Sequence, residues 1–461
     1  LMLALLTAVP LIASVLFGDY AVTWRYAVVI AGLLAASWPL SRLPAPAGVQ
    51  ANEALSVTVL AFLLAPLVML FPLQASSGLG PVDALFEAVS AATTTGLSMV
   101  PDPEARSRTF LFARAWMQWY GGLGIAVLSI ALLMHQSAVV RRLVEVKPTD
   151  TFVTTTRLHA RRVLQVYLVL TALAIGLLWL VGGDFQQALV HALAAVSTGG
   201  FSSHADSLAS TGSSFAFAVL GFSLLGAVTL PLYYTVFREK VSRLRVDTEW
   251  LWLLGAVALG ALLLIATLHG QQGLALPVAV REGLLLSLSA QTTAGFASLA
   301  PAALNDFGQG VLMTQMLVGG SAGSTAGGIK LLHLLIIFRV IQITIRRAGM
   351  GPHAVTSPTL FGNPIDNQTL VNALMVAVLF VLTVLLSWLV FLAHGMPPMA
   401  SLFEVISATG TVGLSSGLTG SELPTLLKLV LCFDMLAGRV EVVALLVALS
   451  PGTWIGRRYA S

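Results

Sequence analysis

The sequence predicts an all-α polytopic membrane protein. Four units, each a membrane helix, a re-entrant pore helix with its loop, and a second membrane helix, stand in pseudo-fourfold arrangement around one pore. Two further membrane helices precede them. Three observations carry this reading. Of the 461 residues, 57% are hydrophobic and only 10% charged, whereas soluble domains carry about 25% charged residues. The mean hydropathy is +0.89, and the apolar residues come in runs that reach the roughly 20 residues a bilayer-crossing helix needs. Finally, one short pattern, Thr-x-Gly-(Leu/Phe)-(Ser/Ala), occurs four times at intervals of roughly a hundred residues, the signature of an internal repeat.

In chain order, residues 2–17 and 22–40 read as two membrane helices split at Gly18-Asp19-Tyr20, and together they make a first segment, 1–43. The first pore unit, 44–148, has an outer helix at 54–73, a half-helix at 82–93 and a returning helix at 110–135. The second, 149–246, uses 162–181, 185–196 and 214–236. The third, 247–356, uses 250–269, 278–291 and an interrupted 308–345. The fourth, 357–461, uses 369–393, 398–409 and 423–449. Each half-helix is nearer about 12 residues than 20, too short to cross. Irregular backbone at membrane depth survives only where protein or water surrounds it, so the four loops are expected to face a common axis.

The repeat extends beyond the glycine. Nine residues before it stand Glu87, His191, Leu286 and Glu404; five before it stand Ala91, Ala195, Ala290 and Ala408. The two glutamates lie toward the far ends of their half-helices and are expected to brace them.

Charge placement orients the chain. Arg141, Arg142, Lys147, Arg157, Arg161 and Arg162 cluster in one connection, Arg238, Lys240, Arg243 and Arg245 in another, and Arg346 and Arg347 in a third. Basic connections belong on the cytoplasmic side, which puts both termini there and makes ten crossings. Clusters flanking membrane spans read as membrane-surface charge, so no nucleic-acid partner is expected. Asp102, Glu104, Asp206, Asp306 and Glu422 then fall outside; Arg106, Arg108 and Arg114 share that side and are expected to pair with those acids. The chain starts Leu-Met-Leu-Ala-Leu-Leu without a basic leader, so no cleavable signal peptide is expected. A single cysteine, Cys432, excludes an intrachain disulfide and reads as a small buried hydrophobe.

The repeated pattern suits a cation. Thr411-Val412-Gly413 reads like the start of a potassium-channel filter loop, in which carbonyls replace an ion's hydration shell. Its counterparts are Thr94-Thr95-Gly96, Thr198-Gly199-Gly200 and Thr293-Ala294-Gly295. Glycine accepts the left-handed backbone that turns carbonyls to an axis, and threonine adds oxygens at the inner end. A half-helix aimed inward brings its partially negative C-terminus to the same place.

Two further features lie at membrane depth. The ten small residues Gly319-Gly320-Ser321-Ala322-Gly323-Ser324-Thr325-Ala326-Gly327-Gly328 interrupt the third returning helix. They read as a plug beneath the filter, or as a close helix contact through small residues. Arg439, with Asp434 and Glu441 nearby, either limits how long a cation dwells inside the filter or forms a structural ion pair with those acids; Lys330 invites the same two readings. The histidines lack ligand spacing, and no nucleophile constellation, P-loop or dinucleotide fingerprint appears, so no enzyme is expected.

The chain resembles the Trk/Ktr/HKT superfamily of cation transporters, most closely the bacterial TrkH type, over nearly its whole length. The likeness rests on the four loops, on Gln118-Trp119-Tyr120-Gly121-Gly122-Leu123-Gly124, on the run Gly319–Lys330, and on Met435-Leu436-Ala437-Gly438-Arg439-Val440-Glu441. The two extra N-terminal helices look like the TrkH type. The resemblance implies potassium uptake across the bacterial inner membrane through a channel-like pore. It also implies a homodimer, a cytosolic nucleotide-binding regulatory ring (TrkA-like), and no covalent or organic cofactor in this chain. Gly96, Gly200, Gly295 and Gly413 would carry the filter, Gly319–Gly328 the intramembrane gate, and Arg439 its electrostatic partner. Glycine in all four loops argues for potassium over sodium. Ala297 in place of serine, and Gly199 before Gly200, depart mildly from the pattern. A sodium-permeable or sodium-coupled relative, and a non-conducting membrane sensor or scaffold, are the competing readings.

Overall fold

The structure, a computed structural model, describes residues 1–42, 51–136, 152–239, 248–348, 359–361 and 363–455. Most of the basic connections, including Arg141, Arg142, Lys147, Lys240, Arg243 and Arg245, lie outside the described residues.

Helices Met2–Leu16 and Tyr20–Leu40 come first and pack as a pair against the first unit. The outer helices are Ala51–Ser77, Phe152–Gly182, Glu249–Ala266 and Asn367–Ala393. Many of their exposed residues are apolar, among them Leu67, Leu180, Leu262 and Leu386, as lipid-facing surface requires.

Four pore helices lie inside them: Pro81–Ala92, Phe185–Val196, Leu276–Gln291 and Pro398–Thr409. Each start has a local cause. Three carry proline in the first turn, where its missing N–H costs nothing. The second is capped by Asp184, whose carboxylate accepts the N–H groups of Gln186 and Gln187. Each ends in the same way. Thr94, Thr198, Thr293 and Thr411 take left-handed backbone angles (φ 56°, 51°, 55° and 49°). The following residue donates back to the third-last helical carbonyl: Thr95 to Ser90, Gly199 to Ala194, Ala294 to Ser289 and Val412 to Ser407. This is a Schellman stop with threonine where glycine is usual. A β-branched residue held there costs roughly 1–3 kcal/mol, so each turn is sustained by its surroundings.

The second and fourth returning helices differ from expectation, while the first is unbroken and the third interrupted as expected. Arg108–Gln136 runs unbroken, but the second divides into Ser213–Ala227 and Leu230–Glu239, which meet at a bend of 85°. Pro231 favours the stop because it has no N–H for the carbonyl four residues back, Ala227, which instead accepts the Ser321 N–H (3.0 Å). The third divides into Asp306–Leu317 and Leu331–Ala348. The fourth, expected to run through 449, breaks at Glu441 (φ 64°) into Thr425–Val440 and Val442–Leu449. Among the described residues, five helices are long and apolar enough to cross a membrane, or six with the bent pair counted as one. The ten crossings expected exceed that count because Met2–Leu16 has only 15 residues and the returning helices are interrupted or carry polar groups such as Arg114 and Gln118. A two-residue strand pair, Thr359–Leu360 with Asn363–Pro364, is the described β-structure beyond one isolated bridge.

Candidate functional site

The four pore helices bring their loops to one place. The glycines Gly96, Gly200, Gly295 and Gly413 all have positive φ (92°, 81°, 73° and 98°). All four lie in the wall of a single open cavity of about 620 Å³. Their neighbours close a circle. A Cβ at Gly96 would strike the Gly199 carbonyl, one at Gly200 the Ala294 carbonyl, one at Gly295 the Val412 carbonyl, and one at Gly413 the Thr95 carbonyl. Each loop therefore sets its glycine against the preceding residue's oxygen in the next loop. Among the described residues, the Thr95, Ala294 and Val412 oxygens accept no hydrogen bond from the protein. A cation meeting them finds uncommitted lone pairs.

The threonines stand one step further in. Thr94 and Thr411 hydroxyls are buried and unpartnered. The other two are engaged by the glycine-rich loop: Thr293 Oγ1 accepts the Gly327 N–H (2.7 Å), and Thr198 Oγ1 donates to Thr325 Oγ1 (3.4 Å). Beyond the glycines, on the cavity side, the extended segments are braced from the pore helices. Glu87 accepts from Ser98 Oγ (2.6 Å) and Met99 N–H (2.5 Å). Glu404 accepts from Ser415 Oγ (2.6 Å), the N–H (2.8 Å) and Oγ (2.9 Å) of Ser416, and Thr419 Oγ1 (2.5 Å). His191 Nε2 pairs with Ser202 Oγ (3.1 Å). The third unit has Leu286 and Ala297 at these positions, so both members of the brace are apolar together. That pairing accounts for the departure at 297.

Arg114 does not pair with the acids of the connecting segments. It is buried and meets Glu87 at 3.2 Å, and its other terminal nitrogen donates to the Ser202 carbonyl (3.2 Å). The Phe110 and Phe201 rings cover its guanidinium. Arg106 donates to the Ser77 carbonyl (2.6 Å).

Residues 319–327 are buried against the threonine side of the ring. The neck of this loop closes through Gly319 N–H to the Ile329 carbonyl and Ile329 N–H to the Leu317 carbonyl, both 3.0 Å. Gly328 N–H reaches the Gly410 carbonyl (2.9 Å), and a Cβ at Gly327 would run into Thr411. Thr325 is the hub. Its N–H donates to the Gly226 carbonyl (3.1 Å), and its hydroxyl lies between the Val196 and Gly226 carbonyls (3.1 and 3.0 Å). Ser321 N–H donates to the Ala227 carbonyl (3.0 Å), Thr229 Oγ1 to the Ala322 carbonyl (2.9 Å), and Leu230 N–H to the Gly323 carbonyl (3.3 Å). The break in the second returning helix thus supplies partners for the loop, Ser324 closing a turn within it through Oγ to the Ser321 carbonyl (2.6 Å). Gly320 accepts the Leu331 N–H on its carbonyl (3.1 Å).

Three ionisable side chains hold this loop. Arg439 Nη1 donates to the Thr325 carbonyl (2.9 Å) and Nη2 to the Gly121 carbonyl (3.5 Å). Lys330 Nζ donates to the Ala326 carbonyl. Glu249 Oε1 accepts the Ala322 N–H (3.0 Å). The ion pair considered for Arg439 is not formed with Asp434, whose carboxylate instead accepts from Ser387 Oγ (2.6 Å). Local sequence gives Glu249 no role in a site, and marks Gln118 only as part of the Gln118–Gly124 segment. A lone acid at a helix start reads as a complement to the helix dipole, and a lone amide in an apolar run as packing; burial of a polar group at membrane depth was the signal. Among the described residues, no group of three or more His, Cys, Asp or Glu could hold a metal ion.

Four apolar-jacketed helix–loop–helix units, with their loops meeting on one axis, define a polytopic membrane protein of the pore-loop architecture. The chain belongs to the TrkH family of cation transport proteins, whose model matches residues 48–453. This places it among transporters, not enzymes. An uncharacterised cation transporter of Methanocaldococcus jannaschii is 27% identical over 96% of this chain and 92% of that protein. The Trk system potassium uptake protein TrkH of Escherichia coli K12 is 27% identical over 83% of this chain and 82% of its own length. The crystal structure of the potassium transporter TrkH from Vibrio parahaemolyticus has the same fold, with TM-score 0.87 at 24% identity over 98% of this chain and 97% of that one.

Proposed function

We propose that the chain conducts potassium into the cell through the ring of loops, with Thr94–Gly96, Thr198–Gly200, Thr293–Gly295 and Thr411–Gly413 as its selectivity filter. The carrying observation is the closed circle of glycines and carbonyls, in which each oxygen stands beside a residue that has no Cβ. A dehydrated cation needs several oxygens at fixed distance and a hold weak enough to leave. Main-chain carbonyls on a braced backbone meet both needs, and the negative ends of four pore helices add attraction without a fixed carboxylate. Two relatives named as potassium uptake or transport proteins, and glycine in all four loops, support potassium as the ion.

Gly319–Gly328 acts as the gate. It occupies the path on the threonine side, and many of its hydrogen bonds run to backbone that belongs to other units. Arg439 and Lys330 hold it there and set positive charge below the ring, against a cation's passage. The same reading divides the chain into the two N-terminal helices and the four pore units already delimited, with both termini cytoplasmic and the large cavity external. It includes a homodimer and a regulatory cytosolic ring; these rest on the family resemblance.

The test is rubidium uptake into proteoliposomes, with and without competing sodium. Uptake that excess sodium does not suppress supports potassium conduction. Equal suppression by sodium favours a sodium-permeable transporter, and no uptake beside a working control favours a non-conducting sensor.

A further inference from the structure

Gln118 is fully buried in the first returning helix, yet its amide is committed to the backbone of the second unit. Its Nε2 donates to the Gly199 carbonyl, and its Oε1 accepts the Phe201 N–H (3.3 Å). One turn earlier on the same helix, Arg114 donates to the Ser202 carbonyl. Residues at i and i+4 share a helix face, so this face grips the second loop from 199 to 202.

We propose that Gln118 is a positioning residue for the filter: it clamps the Gly199 carbonyl, shares that oxygen with the passing ion, and thereby sets discrimination between potassium and sodium. The inference rests on the filter reading above and adds a residue to it.

The chemistry of the four positions supports the assignment. A carbonyl oxygen has two lone pairs, so one serves the amide and one remains for the axis. The other three ring oxygens belong to Thr95, Ala294 and Val412, whose Cβ atoms restrict the backbone on either side. Gly199 has none and is followed by Gly200, so this peptide is the freest of the four to turn its oxygen away. The same absence makes room for the clamp, because a Cβ at 199 would overlap the Gln118 side chain. Looser backbone and added amide thus occur together.

Three residues before the glycines that pack on the pore-helix ends in the second and fourth returning helices, Gly226 and Gly438, stand Ser223 and Met435. Gln118 holds the corresponding place before Gly121, and there alone among these three is the side chain an amide. Among the described residues, the Gly199 oxygen is the ring position held from outside by a side-chain donor.

The experiment compares the full chain with Gln118→Leu and Gln118→Glu in proteoliposomes. Rubidium uptake is read against competing sodium, and melting temperature in potassium against that in sodium. Glutamate keeps the acceptor for Phe201 and loses the donor to Gly199. Both variants are expected to lose about three- to tenfold in rubidium-over-sodium discrimination, the worth of one neutral hydrogen bond. The extra thermal protection given by potassium over sodium should shrink with it. Should leucine prevent folding, the near-isosteric glutamate decides. Wild-type discrimination in the folded variants, whatever their flux or melting temperature, overturns the proposal and leaves Gln118 a packing residue. Gly413→Ser run in parallel separates the two levels: if it also keeps wild-type discrimination, the filter reading itself fails.

Discussion

The Arg439 guanidinium lies 2.9 Å from the Thr325 carbonyl, joining the fourth returning helix to the centre of the glycine-rich loop that interrupts the third. The two residues are far apart in sequence and meet on the inner side of the ring. A charged donor on a backbone carbonyl is worth about 1.5–3 kcal/mol. If the loop gates the pore as proposed, Arg439→Ala is expected to loosen it and raise rubidium flux by about tenfold or more. Single-channel recording would show longer openings. Wild-type flux with wild-type gating would leave Arg439 a structural residue.

Thr325 anchors the loop by its side chain as well. Thr325→Val keeps the shape and the carbonyl that Arg439 holds, but removes the hydroxyl lodged between Val196 and Gly226. Flux should rise about two- to tenfold from the loss of one neutral bond. Because Arg439 keeps its acceptor, the double variant with Arg439→Ala should open further than either alone. Equal flux in the single variant and the parent would remove this anchor from the gate.

At Gly413 a side chain would run into the Thr95 carbonyl, and its φ of 98° disfavours any residue with a Cβ. Gly413→Ser is expected to push the neighbouring loop off the axis and weaken rubidium-over-sodium discrimination at least about tenfold, comparable to 1.4 kcal/mol. Competition flux measures it directly. An unchanged ratio would take this loop out of the filter.

Glu87 and Arg114 form a buried pair on the cavity side of the first and second loops. Glu87→Ala strands the guanidinium and should destabilise the protein by about 3–5 kcal/mol, seen as a large fall in melting temperature in detergent. Glu87→Leu combined with Arg114→Leu removes both charges and should recover much of that loss. The third unit already uses Leu286 at this position. Single variants that melt like the parent would show that the brace carries no stability.

The sequence by itself determined the repeat. Hydropathy marked the outer helices and the Thr-x-Gly spacing marked where pore helices stop, because these signals act within a few residues of one another. Pore helices placed at 82–93, 185–196, 278–291 and 398–409 lie within two residues of those observed. Tertiary structure decided who touches whom. The seating of Ser321 on the Ala227 carbonyl, the pairing of Arg114 with Glu87, and the reach of Gln118 to Gly199 all join residues from different parts of the chain. No local pattern encodes such contacts. A buried polar group at membrane depth must find a partner, but which one is set only when four units close around a shared axis.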